Sequence, residues 1–383
     1  MKIGIDGNEA NVKNRVGVNT YAYELLIALN KINKEHEFSI FLKDKPLPDM
    51  PKERENWKYV VLAKRPFWIL TSLTPFLLKE KNLYKNSPEV LLSPSHYTPF
   101  LVNIPKICSI MDLGYLKSKA QFNLATFWQL KYWTAISINT SKYIIAISEA
   151  TKNDIVRHYP GASKKIRVTH LAYDKDKFNQ KKSHINVRRR DFNKLQSKHN
   201  ITNEYLLYLG TLKPSKNIEG IIKAFSIIKK TDDKKLKLVI AGKRGWMFES
   251  IFELVKSLKL EDDVIFTGFV SESTKIALMQ EAKLLVSPSF WEGFGLHVLE
   301  SLAIGTPVVI SKAGSMQEVG GDAAIYVDPK NPESIAEGIK KILSMNNTKY
   351  QNLKKTGVKW SEKFSWERTA RETLSIIESA TKD

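Results

Sequence analysis

Short apolar runs alternate with amphipathic stretches from one end of this 383-residue chain to the other. The stretches between the runs, such as 19–29, 218–228 and 335–343, carry apolar residues at the three-to-four spacing of a helix that covers a sheet. This alternation is typical of βα units and predicts parallel sheets. The predicted strands are 2–6, 38–42, 59–62, 90–93, 106–110, 143–147, 166–170, 205–209, 236–241, 264–267, 284–286, 307–310 and 324–327.

The predicted fold class is therefore α/β, with two doubly wound, Rossmann-like domains, since roughly 100 to 200 residues make one domain. The boundary is expected between 174 and 200, which has few large apolar residues and contains Arg188-Arg189-Arg190. We predict an N-terminal domain at 1–178, a basic linker at 179–200 and a second domain at 201–363. The basic segment fits either a charged linker with a short helix or a phosphate-binding arm.

The net charge of +20 is concentrated in the first half of the chain. Residues 1–200 hold 34 basic and 17 acidic side chains, a net charge of +17, whereas the rest hold 26 and 23, only +3. A basic half fits nucleic acid, an anionic membrane or a phosphorylated ligand as partner. A general bias towards solvated lysines is the alternative explanation.

Cys108 is the single cysteine, so no intrachain disulfide or cysteine-built zinc site exists. Its apolar neighbours predict a buried thiol and a reducing compartment. Because the first residues are charged too early for a signal peptide, we expect a cytoplasmic protein.

Two segments are unusually aromatic and apolar, 66–78 and 122–133, and neither is long enough to span a membrane. Lys64-Arg65 and Lys79 flank the first. That segment fits a core helix kinked at Pro75 or a segment lying in a membrane interface.

The stretch 287–307 carries the clearest chemistry. A predicted strand runs into a loop with Gly293 and Gly295, and a helix follows from about Gly295 to Gly305. Glycines allow close backbone approach to a ligand, and a helix N-terminus offers unpaired N–H groups to an anion. Glu292 precedes this helix and Glu300 lies within it. A carboxylate accepts two hydroxyls at once, so the pair suits a sugar ring and a ribose on either side of a diphosphate.

This stretch resembles the signature of the glycosyltransferase family 4 class, retaining enzymes of the GT-B fold in which two domains face each other across a cleft. The two glutamates of that signature are Glu292 and Glu300 here. The resemblance covers nearly the whole chain. Its other parts are 210–217 (donor phosphates), 264–269 (nucleobase), the later motifs 305–309, 318–319 and 328–329, and, near the start, 4–6 with 16–21.

The resemblance implies that the first domain holds the acceptor and the second the donor. It implies that 364–383 forms a final helix returning to the first domain. Glu292 would bind hydroxyls of the transferred sugar, Glu300 the ribose, and Lys216, with Lys213, the diphosphate leaving group. The implied catalytic residues are Glu292, Lys216 and Asp112; the implied donor-binding residues are Gly17, Gly210, Lys213, Lys216, Glu292, Gly293, Phe294, Gly295, Leu296 and Glu300.

Two positions depart from the family pattern. Thr211 stands where an arginine is frequent, so Lys213 or Arg244 is expected to supply that charge. Met111-Asp112 stands where a His-Asp pair is usual, which implies altered sugar choice, lower activity, or replacement by a nearby histidine such as His96.

No metal and no cofactor are expected, because Lys216 and the helix N-terminus can do the work of a cation. Asp174-Lys175-Asp176 has the outline of a metal-binding carboxylate motif, but a lysine-rich turn explains it better.

The sequence thus predicts a retaining, metal-independent hexosyltransferase that uses a nucleoside-diphosphate sugar and a glycan or lipid-linked acceptor. GDP-mannose is favoured over UDP-glucose as donor. Docking on the inner face of an anionic membrane is the expected use of the basic charge. The alternative is a catalytically weak sugar-nucleotide-binding or scaffold member of the same fold. Nucleic acid is not an expected partner, and a nicotinamide dehydrogenase lacks its glycine fingerprint.

Overall fold

The structure of the chain is a computed structural model that describes residues 1–83, 87–117, 124–179, 185–199, 201, 204–231, 235–245 and 248–382. The chain divides into two compact units. The first unit comprises Met1–Leu171 with Trp366–Asp383, and the second comprises Ala172–Ser365. Residues 122 and 123 of the second aromatic segment, and 180–184 of the predicted linker, lie outside the described residues.

The first unit is built on a parallel sheet of seven strands in the order β3-β2-β1-β4-β5-β6-β7. Both β4 and β5 are buried along their whole length, as expected for strands covered on two faces. The strands are β1 (Lys2–Asp6), β2 (Glu37–Leu42), β3 (Trp57–Val61), β4 (Val90–Ser93), β5 (Lys106–Ile110), β6 (Tyr143–Ala146) and β7 (Ile166–Val168).

Helices cover this sheet, with a buried Cys108 in the core beneath them. They are α1 (Val18–Ile32), α2 (Thr74–Leu83), α3 (Gly114–Lys117), α4 (Leu124–Thr140) and α5 (Glu149–His158). A π-helical turn, Ile69–Leu73, leads directly into α2, so Pro75 occupies the start of a helix, where its missing N–H costs nothing.

The second unit holds a parallel sheet of six strands in the order β10-β9-β8-β11-β12-β13. They are β8 (Tyr205–Leu209), β9 (Lys237–Ala241), β10 (Val264–Gly268), β11 (Leu284–Ser287), β12 (Val308–Ser311) and β13 (Ala324–Val327). Its helices are α6 (Ile185–His199), α7 (Ile218–Thr231), α8 (Glu249–Ser257), α9 (Glu272–Glu281), α10 (Leu296–Ile304), α11 (Met316–Gly320), α12 (Pro332–Leu343) and α13 (Asn347–Ser361).

The α/β fold class is confirmed. Each predicted strand is present, with ends that shift by one or two residues at most, and all strand pairs in both sheets are parallel. In each sheet the strand order reverses direction beside the first strand, between β1 and β4 and between β8 and β11. Ligands of doubly wound sheets bind outside the carboxyl ends of strands at such a point.

Part of the predicted basic linker is structured as α6, which packs on α9 within the second unit. Phe192 of this helix is buried and its ring stacks on Tyr205 of β8, with 6.4 Å between the ring centroids. The helix therefore contributes to the core of the second unit through an aromatic residue that the surrounding charges hide in the sequence.

The last helix, α14 (Trp366–Lys382), packs against α1 in the first unit. The hydroxyl of Thr369 donates to the carbonyl oxygen of His170 at 2.6 Å, and the His36 ring lies 3.0 Å from the Glu378 carboxylate. Ile377 is fully buried on the inner side of the helix. A late segment of the chain thus completes the core of the unit that the first residues begin.

We expect Ile377→Ala to lower the free energy of unfolding of the first unit by about 2–4 kcal/mol, because it leaves a cavity under α14. Hydrogen exchange read by mass spectrometry should show faster exchange in β1 and α1 and unchanged exchange in β8 and β11. Ser375→Ala, at an exposed position of the same helix, is the matched control and should change stability by less than about 0.5 kcal/mol. Equal losses in both units would contradict this assignment of α14.

Candidate functional site

The loop after β11 leads into an uncapped helix N-terminus in the second unit. Gly295 precedes α10 with a φ of 90°, a left-handed conformation that favours glycine, and no side chain caps the helix. The helix ends at Gly305, also at positive φ. The first-turn amides of a helix have no partner within it, so the start of α10 is suited to an anion.

Glu292, just before this helix, is 8% exposed and forms an ion pair with the partly buried Lys216. Its carboxylate also accepts a hydrogen bond from the hydroxyl of Ser289 at 3.3 Å. Lys216 reaches it from the 3-10 turn Pro214–Lys216 that follows β8. The structure therefore brings together two residues predicted to act on one ligand, although they stand 76 positions apart.

Hydrogen bonds to backbone carbonyl oxygens hold the two loops that carry this pair. The amide of Phe290 donates to the carbonyl oxygen of Ser215 at 2.9 Å. Asn217 has a left-handed backbone conformation, which asparagine tolerates. Its side-chain amide donates hydrogen bonds to the carbonyl oxygens of Pro288 at 3.1 Å and Pro329 at 2.6 Å. The ion pair is thus fixed by the backbone around it as well as by charge.

A third loop closes against Glu292 from behind. The hydroxyl of Ser315 donates to the carbonyl oxygen of Glu292 at 3.2 Å. Gly314 has a φ of 60°, and a Cβ placed there would lie 2.4 Å from that same carbonyl oxygen. Only glycine fits this close approach of two backbones, so the loop after β12 sets the position of Glu292.

Glu300, the second glutamate, is paired with Lys275 of α9, whose ammonium lies 2.9 Å and 3.0 Å from the two carboxylate oxygens. It is 6% exposed. The Lys275 ammonium also lies over the ring of Phe178, 4.8 Å from its centroid. Each of the two glutamates therefore has its own lysine, contributed by a different part of the second unit.

His297 lies in the first turn of α10 and interacts with the charges of Glu292, Lys216 and Lys275. Its Nε2 atom forms a hydrogen bond of 2.8 Å with the hydroxyl of Ser287. Burial is the main cause that lowers the pKa of His297, to about 4. The ring is therefore neutral at physiological pH and contributes hydrogen-bonding capacity rather than charge.

The two glutamates differ in their electrostatics. Burial opposes ionisation of Glu292, but the Lys216 ammonium and its charged neighbours outweigh burial and leave the pKa below its usual range. At Glu300, burial outweighs Lys275 and raises the pKa. Glu292 is thus held as an anion beside a cation, an arrangement able to orient hydroxyl groups and balance a phosphate at once.

Three glycines end neighbouring strands beside this site. The amide of Gly210 donates to the Ala241 carbonyl oxygen at 3.0 Å, and that of Gly242 to the Gly268 carbonyl oxygen at 2.9 Å. A Cβ at Gly242 would lie 1.8 Å from the Gly210 carbonyl oxygen. The edge of the sheet after β8 and β9 is therefore bare backbone, open to close approach.

Arg244, one of the two residues expected to replace a charge missing at Thr211, has its guanidinium over the rings of Phe248 and Phe252, at 5.3 Å and 5.2 Å from their centroids. Its backbone pairs with Leu212, beside Lys213. Lys213 interacts electrostatically with Glu292. Of the two expected replacements, Lys213 is the one whose charge reaches Glu292.

Two predicted site residues lie in the first unit. Gly17 precedes α1 with a φ of 55° and open space around its Cα. Asp112 follows β5 and accepts a hydrogen bond from the amide of Gly114 at 2.7 Å. His96 interacts with the charge of Asp112, and burial is the main cause that lowers its pKa. A histidine from another loop thus lies near Asp112, where Met111 itself supplies none.

Asp174 closes a turn. Its Oδ1 accepts hydrogen bonds from the amides of Asp176 at 2.9 Å and Lys177 at 3.2 Å. Lys177 also pairs with its carboxylate at 3.3 Å. The carboxylate is engaged by its own turn, as the residue types of a lysine-rich turn lead one to expect.

Sequence reasoning missed Lys275, His297, Ser289 and the Gly314-Ser315 turn. His297 was accessible in principle, because it lies in the first turn of the predicted helix between the two glutamates. Nothing in the sequence indicated a role for Lys275, because only the packing of α9 beside α10 places it at Glu300.

Models of two known protein families match the two units of the chain. The model of the family described as "Glycosyl transferases group 1" matches residues 189–360, and that of "Glycosyltransferase Family 4" matches 16–177. O-antigen chain mannosyltransferase B of Escherichia coli is 29% identical over 240 residues, 62% of this chain and 61% of that protein. O-antigen chain mannosyltransferase RfbU of Salmonella typhimurium is 31% identical over 212 residues, 55% of this chain and 54% of that protein. The chain thus spans between half and two thirds of these relatives.

Solved structures resemble the chain over nearly its full length. Sucrose-phosphate synthase from Thermosynechococcus elongatus superposes with a TM-score of 0.72 at 20% identity, covering 99% of this chain and 98% of that one. Anabaena HepE in complex with UDP and glucose gives 0.72 at 17% identity, covering 99% and 100%. WaaG, a glycosyltransferase involved in lipopolysaccharide biosynthesis, gives 0.69 at 13%, covering 98% and 99%. At these identities the likeness shows the shared fold.

The low pKa of His297 predicts a pH dependence of stability in the second unit. Between the unfolded value near 6.5 and the folded value of about 4, the unfolded state binds the proton more readily, so stability falls as the pH is lowered through this window. We expect His297→Gln to reduce that fall by about 2 kcal/mol, measured by denaturant unfolding. Glu300 titrates in both proteins, so the difference between the profiles isolates the histidine. Parallel profiles would contradict a buried, neutral His297.

Proposed function

The two matched family models cover both units, so this chain belongs to the family 4, group 1 glycosyltransferases, and on that premise we propose that it transfers mannose from GDP-mannose to a glycan or lipid-linked acceptor. The observation that carries the proposal is the ion pair of Lys216 with the buried Glu292 beside the uncapped start of α10. It offers a cation, a carboxylate and backbone amides to one ligand. A nucleoside-diphosphate sugar needs these three groups together.

We assign the parts of the donor by their chemistry. The amides of Phe294, Gly295 and Leu296 face the phosphate next to the sugar, where a helix N-terminus favours negative charge. Glu292 accepts hydrogen bonds from sugar hydroxyls, and Glu300 accepts them from the ribose. Lys216 remains close enough to Glu292 to serve both the sugar and the leaving phosphate.

The proposed reaction breaks the bond between the anomeric carbon and the phosphate oxygen, and the electron pair of that bond goes to the phosphate. The acceptor hydroxyl attacks the anomeric carbon from the same face, and its proton passes to the departing phosphate oxygen. Lys216 and the helix amides stabilise the charge that develops there. We propose that retention is achieved in one step, in which no enzyme side chain forms a bond to the sugar.

We propose that the reaction needs no divalent metal. Lys216 pairs with Glu292, Lys213 interacts with the charge of Glu292, and the positive end of the α10 dipole begins three residues further on, so positive charge is already present where the diphosphate is proposed to bind. Their combined charge matches the leaving group without a metal or another cofactor.

The first unit is proposed to hold the acceptor. His96, neutral and near Asp112, replaces the histidine that the family pattern places at Met111. The choice of mannose follows the O-antigen mannosyltransferases among the relatives.

A cytoplasmic enzyme that works against the inner face of a membrane is consistent with the basic first half of the chain. Within the part of the chain that the structure describes, no helix has the length and apolar character needed to cross a bilayer.

We expect Glu292→Gln and Lys216→Met each to lower kcat/KM for mannosyl transfer at least about a hundredfold, because each removes charge at the leaving phosphate or sugar. Release of GDP in the presence of acceptor measures the rate, normalised to the folded fraction, since an unpaired buried charge is itself destabilising. Lys341→Met, at an exposed lysine of α12, is the matched control and should retain full activity. Full activity of Lys216→Met would rule out its role at the diphosphate.

Donor binding should raise the melting temperature of the protein by mass action. We expect GDP-mannose to raise it more than UDP-glucose, with the same shift in the presence of a metal chelator. NMR of the product should show the anomeric configuration of the donor. An inverted product would refute the one-step retaining route, and loss of the shift on chelation would refute metal independence.

A further inference from the structure

Helix α4 of the first unit carries a stripe of large apolar side chains on its outer side. Leu124, Trp128 and Tyr132 follow one another at intervals of four residues, so they lie along one face of the helix. They are 66%, 39% and 60% exposed. The same helix buries Phe127 and Ile138 on its inner side, so its core requirement is already met. The outer stripe is therefore additional to what folding needs.

The chemistry of this stripe is that of a membrane interface. The rings of Trp128 and Tyr132 stack with centroids 5.3 Å apart and an interplanar angle of 16°. The Lys131 ammonium lies over the Trp128 ring, 4.8 Å from its centroid. Residues 124–140 include no aspartate or glutamate. Tryptophan, tyrosine and a lysine with a long apolar stem are the side chains that settle at the level of lipid headgroups.

Phe67 adds a second, independent observation. Its ring is 66% exposed, and its φ is 52°, which is uncommon for any residue other than glycine and costly for a bulky one. The carbonyl oxygen of Phe67 accepts hydrogen bonds from the amides of Leu70 at 2.8 Å and Thr71 at 3.1 Å. The start of the π-helical turn thus holds an aromatic ring out in solvent at a conformational cost.

The turn that carries Phe67 and helix α4 line one cavity of the first unit. Phe67, Trp68 and Ile69 line a cavity of about 290 Å³ together with Gln129 and Trp133 of α4. Polar groups at the carboxyl ends of β1 and β4, among them Asp6 and Ser95, line the same cavity. Phe67 lines this cavity, and we group its exposed ring with the exposed residues of α4 under the name aromatic face: Phe67, Leu124, Trp128 and Tyr132.

Positive charge accompanies the aromatic face. Arg65, two residues before Phe67, is exposed, as is Lys79 of α2, whereas Lys64 is paired with Asp44 at 3.0 Å. Lys131 lies within the stripe itself. Anionic headgroups attract basic side chains that lie near the membrane surface. An aromatic surface with basic neighbours and no acidic residue in its helix is complementary to an anionic bilayer.

We propose that the aromatic face inserts into the headgroup layer of an anionic bilayer, with Trp128, Tyr132 and Phe67 as its anchors. This rests on the proposed function in one respect, because it makes the acceptor a sugar on a lipid carrier that enters the adjoining cavity. Asp6 and Ser95 then offer hydrogen-bond acceptors to the sugar, while the aromatic face stays at the level of the headgroup. The aromatic face then determines both where the protein docks and which acceptor reaches the cavity.

Flotation of the purified full-length chain with vesicles tests the proposal. We expect binding to phosphatidylcholine vesicles that contain phosphatidylglycerol, weaker binding to phosphatidylcholine alone, and a loss of the difference as salt rises towards about 1 M, where charges are screened within about 3 Å. Trp128→Ser with Tyr132→Ser should weaken partitioning at least about tenfold, because two anchors are lost. Phe269→Ser, an equally exposed aromatic residue of the second unit, is the matched control and should bind as the wild type does.

Phe67→Gly separates docking from folding. Glycine adopts the positive φ without strain, so the melting temperature should stay unchanged or rise, while vesicle binding falls. The proposal would be overturned if the wild-type protein failed to bind anionic vesicles. It would also be overturned if the Trp128/Tyr132 variant bound them as strongly as the wild type does. Self-association of the wild type that the same variant abolishes, without vesicle binding, would assign the aromatic face to a second copy of the chain instead.

The outcome is distinguishable from failure of the proposed function. Stabilisation by GDP-mannose reports on the second unit and should be identical in the wild type and the Trp128/Tyr132 variant. Vesicle binding without any donor stabilisation would remove the transferase proposal and leave the docking surface standing. Donor stabilisation and transfer to a soluble acceptor, without vesicle binding, would do the reverse.

Discussion

Both units depend on one constraint, that every strand runs parallel to its neighbours. Parallel strands need a crossover between them, usually a helix, and all their carboxyl ends then meet at the same edge of the sheet. The loops that carry Lys216, Glu292 and Gly314 follow β8, β11 and β12, three adjacent strands of one sheet. Residues distant in sequence therefore become neighbours because of the sheet's direction alone.

Charge makes this edge reactive. Two buried carboxylates each pair with a partly buried lysine, Glu292 with Lys216 and Glu300 with Lys275. Burial of a charge is costly unless a partner compensates for it, so each pair must keep its geometry. Hydrogen bonds from Asn217 and Ser315 to backbone carbonyl oxygens supply that rigidity. The site is thus organised before a ligand arrives, as efficient stabilisation of developing charge requires.

The first unit combines a similar sheet edge with a different surface. Asp6 and Ser95 follow β1 and β4, where the strand order reverses, and a cavity opens there between α4 and the π-helical turn. Aromatic residues of the segments that line it, such as Phe67 and Trp128, are exposed to solvent instead of packing in the core. The aromatic segment 66–78 in fact divides between both expected environments: Trp68, Leu73 and Leu77 are core, while Phe67 and Leu78 are exposed. Periodicity cannot distinguish these outcomes, because both sides of the segment are apolar.

The sequence by itself determined the α/β class, the number and order of the strands, and the loop between Ser287 and Leu296 with its glycines, because these depend on local pattern and backbone conformation. The resemblance of its motifs to a known family also singled out Glu292 and Lys216 as candidate site residues. Only the tertiary structure decided that Lys275 pairs with Glu300, that His297 is neutral and that Phe192 anchors α6. Those facts depend on which surfaces of separate helices pack together, and burial by packing leaves no periodic trace in the chain.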